Sequence, residues 1–259
     1  MPRLMVHIDA HTPAPTAIIN SGNGIQALFK LAEPIVFRPG RNPHHALQAL
    51  RLQIVSKKVN HVFEADIRSY FTRISHQWLR KMVAYRIADP TILKLIGKWL
   101  KAGAMADGIL ISTKEGTPQG GPISPVLSNI YLHFTLDLWF EKRFKAQSQG
   151  EAYLVRFADD FVGSFQFLED AQNFQRQLRE RFAQFNLELA EEKTRLLLFG
   201  RFAAVERHKH GQRPETFEFL GFKHVCGEDR AGRFALIRNP QHQELQKVSR
   251  SRPRVVAWP

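Results

Sequence analysis

Two apolar runs meet at a pair of adjacent acids in Tyr153-Leu154-Val155-Arg156-Phe157-Ala158-Asp159-Asp160-Phe161-Val162-Gly163-Ser164-Phe165, and few backbones accept that pattern. Aromatic and β-branched residues on both sides of a short polar centre predict a β-hairpin, with Asp suited to the unusual backbone of a tight turn. Carboxylates side by side repel one another, so displaying them between buried strands is unfavourable unless a cation neutralises them. A divalent metal fits best, because magnesium takes oxygen ligands and is usually held by one or two carboxylates plus substrate phosphates. An isolated Asp-Asp pair is more often an ordinary turn, so the rest of the chain decides its meaning.

A third acid lies far upstream. His61-Val62-Phe63-Glu64-Ala65-Asp66-Ile67 alternates as a strand, with Val62, Glu64 and Asp66 on one side and Phe63, Ala65 and Ile67 on the other. Asp66 therefore stands at a strand end on one defined face. Ser75 is placed to cap a helix with Leu79, Met82, Val83 and Ile87 on one side, and Asp89-Pro90 opens a second with Ile92, Leu95, Ile96, Trp99 and Leu100 as its apolar stripe. Residues 107–113 suggest a short strand, followed by a Gly-Gly loop at Gln119-Gly120-Gly121 that a ligand can approach closely. A helix then starts at Ser124-Pro125 and carries Leu127, Ile130, Phe134 and Leu138 as its buried stripe. Beyond the acidic hairpin, Ala171, Phe174, Leu178, Phe182 and Phe185 mark an amphipathic helix ending at Asn186. A turn at Glu191-Glu192-Lys193 and an alternating strand at residues 215–222 complete the pattern. Strand, helices, strand, helix, hairpin, helix and strand describe an α+β antiparallel sheet with helices on one face. In such a sheet Asp66 meets the hairpin tip, and three carboxylates around two ions serve in-line phosphoryl transfer in polymerases and nucleases alike.

Charge names the partner class. Lys and Arg number 37 against 24 Asp and Glu, a balance of +13 expected of a chain that binds a polyanion, nucleic acid first. The excess begins early, with seven cations against two acids over residues 1–60, where Arg38 and Arg41 flank a Pro-Gly turn. It returns from residue 227 with seven cations against three acids, and within that segment Ser249-Arg250-Ser251-Arg252-Pro253-Arg254 has the composition of a disordered tail. No apolar run is long enough for a membrane span, and the first residues lack a signal peptide's apolar centre, so a cytoplasmic (bacterial) location is expected. The single Cys226 excludes an internal disulfide. His208-Lys209-His210 is read as a solvated basic loop.

The runs 65–71, 117–132, 157–160, 187–197 and 219–222 resemble five successive motifs of reverse transcriptases in the family's order, over roughly residues 26–240. The best match is the group II intron-encoded reverse transcriptase/maturase kind. The resemblance implies a right-hand polymerase palm with partial fingers and no thumb, apparently truncated at both ends. It divides the chain into a loosely ordered segment at 1–25, partial fingers at 26–60, a palm at 61–226 that includes fingers helices at 75–102, and a basic C-terminal segment at 227–259. It implies RNA-directed DNA synthesis, with Asp66, Asp159 and Asp160 as catalytic metal ligands for two Mg²⁺ ions, for which Mn²⁺ can substitute. The Ile67 carbonyl would complete the shell of the nucleotide metal, Phe71 would exclude a 2′-hydroxyl, and Gln119, Gly120 and Gly121 would line the nascent base pair. Lys193 would donate a proton to pyrophosphate, Phe219, Leu220 and Gly221 would grip the primer, and Arg38 and Arg41 would face the template. The implied partners are an RNA template, a DNA primer, deoxynucleoside triphosphates and intron RNA.

The chain departs from the family at Phe157, where Tyr is usual, and at Thr72, where an acid is usual. Two alternatives follow from the missing end segments and from the motifs being shared more widely. One is an inactive maturase that binds RNA; the other is a reverse transcriptase of a retron or CRISPR system.

Overall fold

The computed structural model of the protein describes residues 42–101, 104–106, 109–111, 115–117, 124–203, 205 and 214–240. The expected lead-in at 1–25, Arg38 and Arg41, the Gln119-Gly120-Gly121 loop, the His208 loop and the tail beyond residue 240 lie outside the described residues.

Helix α1 (Pro43–Ser56) starts at an Asn42 cap that accepts from the His45 amide, with Pro at the first turn where no amide is needed. Strand β1 (His61–Ala65) follows, then the short helix α2 (Tyr70–Arg73) and α3 (His76–Ala84), whose Ser75 cap accepts from the Trp78 amide. Helix α4 (Pro90–Lys101) is capped by Asp89, whose Oδ1 accepts from the Thr91 amide at 2.7 Å. Its buried stripe is narrower than the sequence suggests: Ile96 and Leu100 are buried, whereas Leu95 is 42% exposed. In place of one strand over 107–113 there is a pair, β2 (Ala104–Ala106) and β3 (Ile109–Ile111), joined antiparallel.

Helix α5 (Ser124–Leu132) runs through two π-helical segments, His133–Asp137 and Phe140–Phe144, into α6 (Lys145–Gln147). Leu127 and Ile130 are buried as expected. Further along, the fully buried apolar positions are Leu136, Phe140 and Phe144, while Phe134 and Leu138 are only partly covered. The wider π turns advance the buried face relative to a 3.6-residue period.

The hairpin forms as read: β4 (Ala152–Phe157) pairs with β5 (Asp160–Phe165), closed by Phe157 opposite Asp160. Helix α7 (Leu168–Gln184) buries Ala171, Phe174, Leu178 and Phe182. It stops at Asn186 in the left-handed region (φ +59°), where the Asn186 and Leu187 amides return to the Ala183 and Phe182 carbonyls. A single 3₁₀ turn at Glu191–Lys193 leads into β6 (Arg195–Leu198), and β7 (Thr216–Phe219), β8 (Phe222–Glu228) and β9 (Phe234–Pro240) close the described chain. Strand β8 runs across residue 226, where the sequence reading divides palm from basic segment, and β9 carries the pairing on to Pro240.

The central sheet has the order β4-β5-β1-β6, with β1 antiparallel to both its neighbours. One face packs on α3, α5 and α7 through Phe63, Phe161, Phe165 and Phe174, and the ring of Phe174 meets Phe63 edge-on at 5.3 Å. Gly163 makes room there, since a Cβ on it would come within 2.8 Å of the Phe165 ring. Fully burying each such ring is worth about 1.5–3 kcal/mol. The other face is also covered: Val62, Val155, Val162 and Leu197 pack with Leu47, Leu50 and Ile54 of α1 and with Phe217 and Phe219 of the β7-β8-β9 sheet. The core of the α+β fold is thus an antiparallel sheet with most of its helices on one face, and it differs from the expected one-sided arrangement in that helix α1, with a small second sheet, covers the back.

Candidate active site

Register decides where the acids go. Ala65 of β1 is opposite Phe161 of β5, so continuing the antiparallel ladder by one residue puts Asp66 opposite Asp160. Asp159 is adjacent, in the turn between β4 and β5. The positive φ of that turn falls on Ala158 (+56°) and not on an Asp, which leaves the Asp159 backbone in an ordinary conformation. The alternation that sends Val62 to the back of the sheet and Phe63 to the helices gives Asp66 and Asp160 the back face, toward the β7–β8 hairpin.

The site is built from short local devices. Asp66 is tied down by its carbonyl, which accepts from the Ala190 amide at 2.9 Å, while Ile67 bridges Leu189 and the Arg68 amide reaches the Glu188 carbonyl. Ser69 adopts a left-handed conformation (φ +49°), and the chain then turns into α2 with Tyr70 buried and Phe71 half-buried beside it, their rings 5.2 Å apart. The carbonyl of Phe71 accepts from the Thr117 amide at 2.8 Å, so the backbone two residues before Gln119 touches α2. Lys193 reaches across from the 3₁₀ turn, with its Nζ 2.6 Å from Asp66 Oδ2. On β1, two residues before Asp66, Glu64 accepts from the Glu218 amide at 2.9 Å and from Arg195. That contact holds the Phe219-Leu220-Gly221 turn near the acidic end. Leu220 and Gly221 both have positive φ (+51° and +75°), the two-residue hairpin geometry usually left to Asn-Gly.

The electrostatics are those of partly buried acids crowded together. Partial removal from water, then the neighbouring charges of Asp159 and Asp66, push Asp160 up to about 6, against a pull from Lys193. Asp159 is raised as well, first by desolvation and then by Asp66. Lys193 is raised by its hydrogen bond to Asp66. Among the described residues, no three His, Cys, Asp or Glu side chains are gathered closely enough to make a ready cage for a metal. Even so, the donor set suits a hard divalent ion, because all three side chains offer carboxylate oxygens, and burial and mutual repulsion, which raise two of them, are what a bound cation would offset. One or two carboxylates with substrate phosphates suffice for magnesium.

Arg156, on the strand that leads into the acidic turn, is 3% exposed and forks onto Asp137, with Nε–Oδ1 2.8 Å and Nη2–Oδ2 2.5 Å. Burial alone would raise the Asp137 carboxyl, but the charge and hydrogen bonds of Arg156 hold it below its usual range. Sequence reasoning gave no role to Asp137 or Asn129, and the polar interruption of an apolar helix was their only signal. His224, fully buried and without a well-formed hydrogen bond to either ring nitrogen among the described residues, was missed too.

Comparison with known proteins agrees with this geometry. Residues 28–224 match the family model described as reverse transcriptase (RNA-dependent DNA polymerase). The chain is 40% identical over 111 residues to Protein YkfC of Escherichia coli K12, which is 42% of this chain and 29% of that protein. It is 39% identical over 97 residues to the group II intron-encoded protein LtrA of Lactococcus lactis subsp. cremoris, 38% of this chain and 16% of LtrA. It therefore spans less than a third of the length of either relative. The fold resembles that of telomerase from Candida albicans solved with a fragment of telomeric RNA, with a TM-score of 0.56 at 12% identity over 84% of this chain and 37% of that one. Among the described residues no helix is long and apolar enough to cross a membrane. With a family model spanning most of its length and an antiparallel palm sheet that brings its acids to one edge, the chain belongs to the reverse transcriptase family.

Proposed function

We propose that this chain carries the palm of a group II intron-type reverse transcriptase, adding deoxynucleotides to a DNA primer on an RNA template. The observation that carries this reading is the register that makes Asp66 and Asp160 neighbours, with Asp159 in the adjoining turn. Asp66, Asp159 and Asp160 would hold two Mg²⁺ ions, with Mn²⁺ able to replace them. Divalent ions in such a site activate the primer 3′-hydroxyl and stabilise the departing pyrophosphate oxygen. Lys193, whose Nζ lies 2.6 Å from Asp66 Oδ2, would give a proton to the pyrophosphate. The Phe71 ring would lie under the incoming sugar and turn away a 2′-hydroxyl. Ile67 would present its carbonyl to the nucleotide site, and Gln119, Gly120 and Gly121 would line the new base pair. The Phe219-Leu220-Gly221 turn would hold the primer end, and Arg38 and Arg41 would meet the template.

Binding of RNA is supported by the positive charge of the helices. Residues 73–101 carry seven Lys or Arg against one acid, and among the described residues only Arg73 of these has an ion-pair partner, Glu188. Affinity for a primed RNA template should therefore fall steeply between low and physiological salt, as phosphate neutralisation requires. Sequence preference should be slight, since backbone and shape are what such a surface reads.

A second reading, an RNA-binding module without catalysis, draws on Asp66 being engaged by Lys193 and on the acids not being gathered into a cage. One experiment separates the two: extension of a DNA primer on an RNA template with Mg²⁺ and then Mn²⁺, the chain against Asp159→Ala. Extension lost in the variant supports the polymerase. RNA binding without extension by either protein leaves the binding module.

A further inference from the structure

Arg156 has more hydrogen bonds than an ion pair needs. Beyond the two to Asp137, its Nη1 donates to Asn129 Oδ1 at 2.9 Å and to the Ala158 carbonyl at 2.6 Å. Ala158 is the residue held at φ +56°, a conformation that L-residues rarely adopt, and it immediately precedes Asp159. Asn129 is itself fixed, its Nδ2 donating to the Pro125 carbonyl at 2.8 Å in the first turn of α5. Beside it, the Tyr70 hydroxyl donates to the Ser128 carbonyl at 2.5 Å, which brings α2 into the same buried cluster. One guanidinium thus joins the carboxylate turn, the start of α5 and the π-helical segment that carries Asp137. Stability does not demand such a group, because a buried ion pair can usually be exchanged for apolar side chains with little loss. What an apolar pair would lack is the fork that grips the Ala158 carbonyl.

We infer that Arg156 is a positioning residue, which with Asp137 and Asn129 fixes the Ala158–Asp159 turn against α5 so that Asp159 and Asp160 face Asp66 at a set spacing. The rate readout rests on the polymerase reading given above, whereas the metal readout does not. The test uses the full chain, Arg156→Lys and the double variant Arg156→Met/Asp137→Leu. Lys keeps the charge against Asp137 but has no planar fork. The double variant leaves neither Arg156 nor Asp137 as an unpaired buried charge, but it strands the Asn129 Oδ1 and Ala158 carbonyl acceptors, so its melting temperature should fall by roughly several degrees while the chain stays folded at the assay temperature. Mn²⁺ affinity, measured by electron paramagnetic resonance of the free ion, should fall roughly 10–100-fold in both, as for lost supports of metal-binding carboxylates. In primer extension kcat should fall while KM for the primed template holds, and Lys should restore little of either.

A folded double variant with unchanged Mn²⁺ affinity and kcat overturns the inference, and should that variant not fold, unchanged Mn²⁺ affinity in Arg156→Lys does so. A parent chain that binds no Mn²⁺ overturns it too, since no carboxylate site would then exist to be positioned. If the parent binds Mn²⁺ yet extends no primer, the polymerase reading fails, and the Mn²⁺ comparison still decides the role of Arg156.

Discussion

His224 should make the β7–β8 sheet, and with it the Phe219-Leu220-Gly221 turn, sensitive to acid. The imidazole lies opposite Phe217 in the ladder, with the rings stacked at 4.7 Å and 12°. It has no exposed surface, and among the described residues neither nitrogen makes a well-formed hydrogen bond. Burial lowers its pKa to about 4 from 6.5; the nearby Phe219 backbone opposes that shift and the charge of Arg238 adds to it. Because the folded pKa lies below the unfolded one, between pH 6.5 and 4 the unfolded chain takes up a proton that the folded chain refuses. Stability is therefore full above pH 6.5, falls as pH drops through this window, and loses nothing more from this group below 4. Integrating over the window gives a loss of roughly 2.5 kcal/mol at pH 4.5, and about 3 kcal/mol in all.

His224→Phe keeps the ring stack and cannot titrate. The assay is urea unfolding of both proteins at pH 7 and pH 4.5, without metal. Asp159 and Asp160 have raised pKa values and pull in the opposite direction over the same range, but they are common to both proteins and cancel in the difference. A constant offset from fitting the larger Phe ring cancels as well. The variant should gain about 2.5 kcal/mol on the parent chain between pH 7 and pH 4.5. An equal pH response in the two proteins would refute the reasoning, and would mean that the folded chain accommodates a protonated His224.

Other perturbations test other parts of the architecture. Leu220→Asn should raise stability by ~1 kcal/mol, since Asn tolerates the left-handed φ of +51° better than Leu, and thermal unfolding checks it. Lys193→Met breaks an ion pair whose members are 63% and 35% exposed, so stability should change by less than ~1 kcal/mol. If Lys193 donates the proton to pyrophosphate, single-turnover extension should slow by about 10²-fold or more with RNA affinity kept. Phe174→Ala empties the centre of the aromatic cluster on the helical face and should cost about 3–5 kcal/mol in denaturant unfolding.

The parts legible in the sequence are those in which a local period carries the information. Alternation alone gave β1 its two faces and put Asp66 at its end, and the capping residues Ser75 and Asp89 marked helix starts correctly. The α7 stripe held to its last turn because Asn186 supplies the left-handed residue that a helix end requires. Side chains that meet through long-range geometry were not legible. Lys193 could be placed by resemblance, but its contact with Asp66 spans 127 positions of sequence. Leu95 fits a helical stripe as well as Ile96 does, and only the packing of α4 at the rim of the core leaves it exposed.

The helix from Ser124 to Gln147 shows why an unbroken period fails nearest the chemistry. A strict α-helix would carry the stripe of Leu127 and Ile130 on to Phe134 and Leu138; the π-helical segments instead bury Leu136 and Phe140, two positions later in each case. The same displacement brings Asp137 to the interior, 4% exposed, where it meets Arg156. π segments are locally less favourable than α-helix and are found often at functional sites. Here the irregularity has an identifiable product, since it delivers a carboxylate beneath the turn that holds Asp159. An apolar residue at 137 would satisfy the core equally well and would give Arg156 no anchor, so the interrupted period and the buried charge are one feature of the fold.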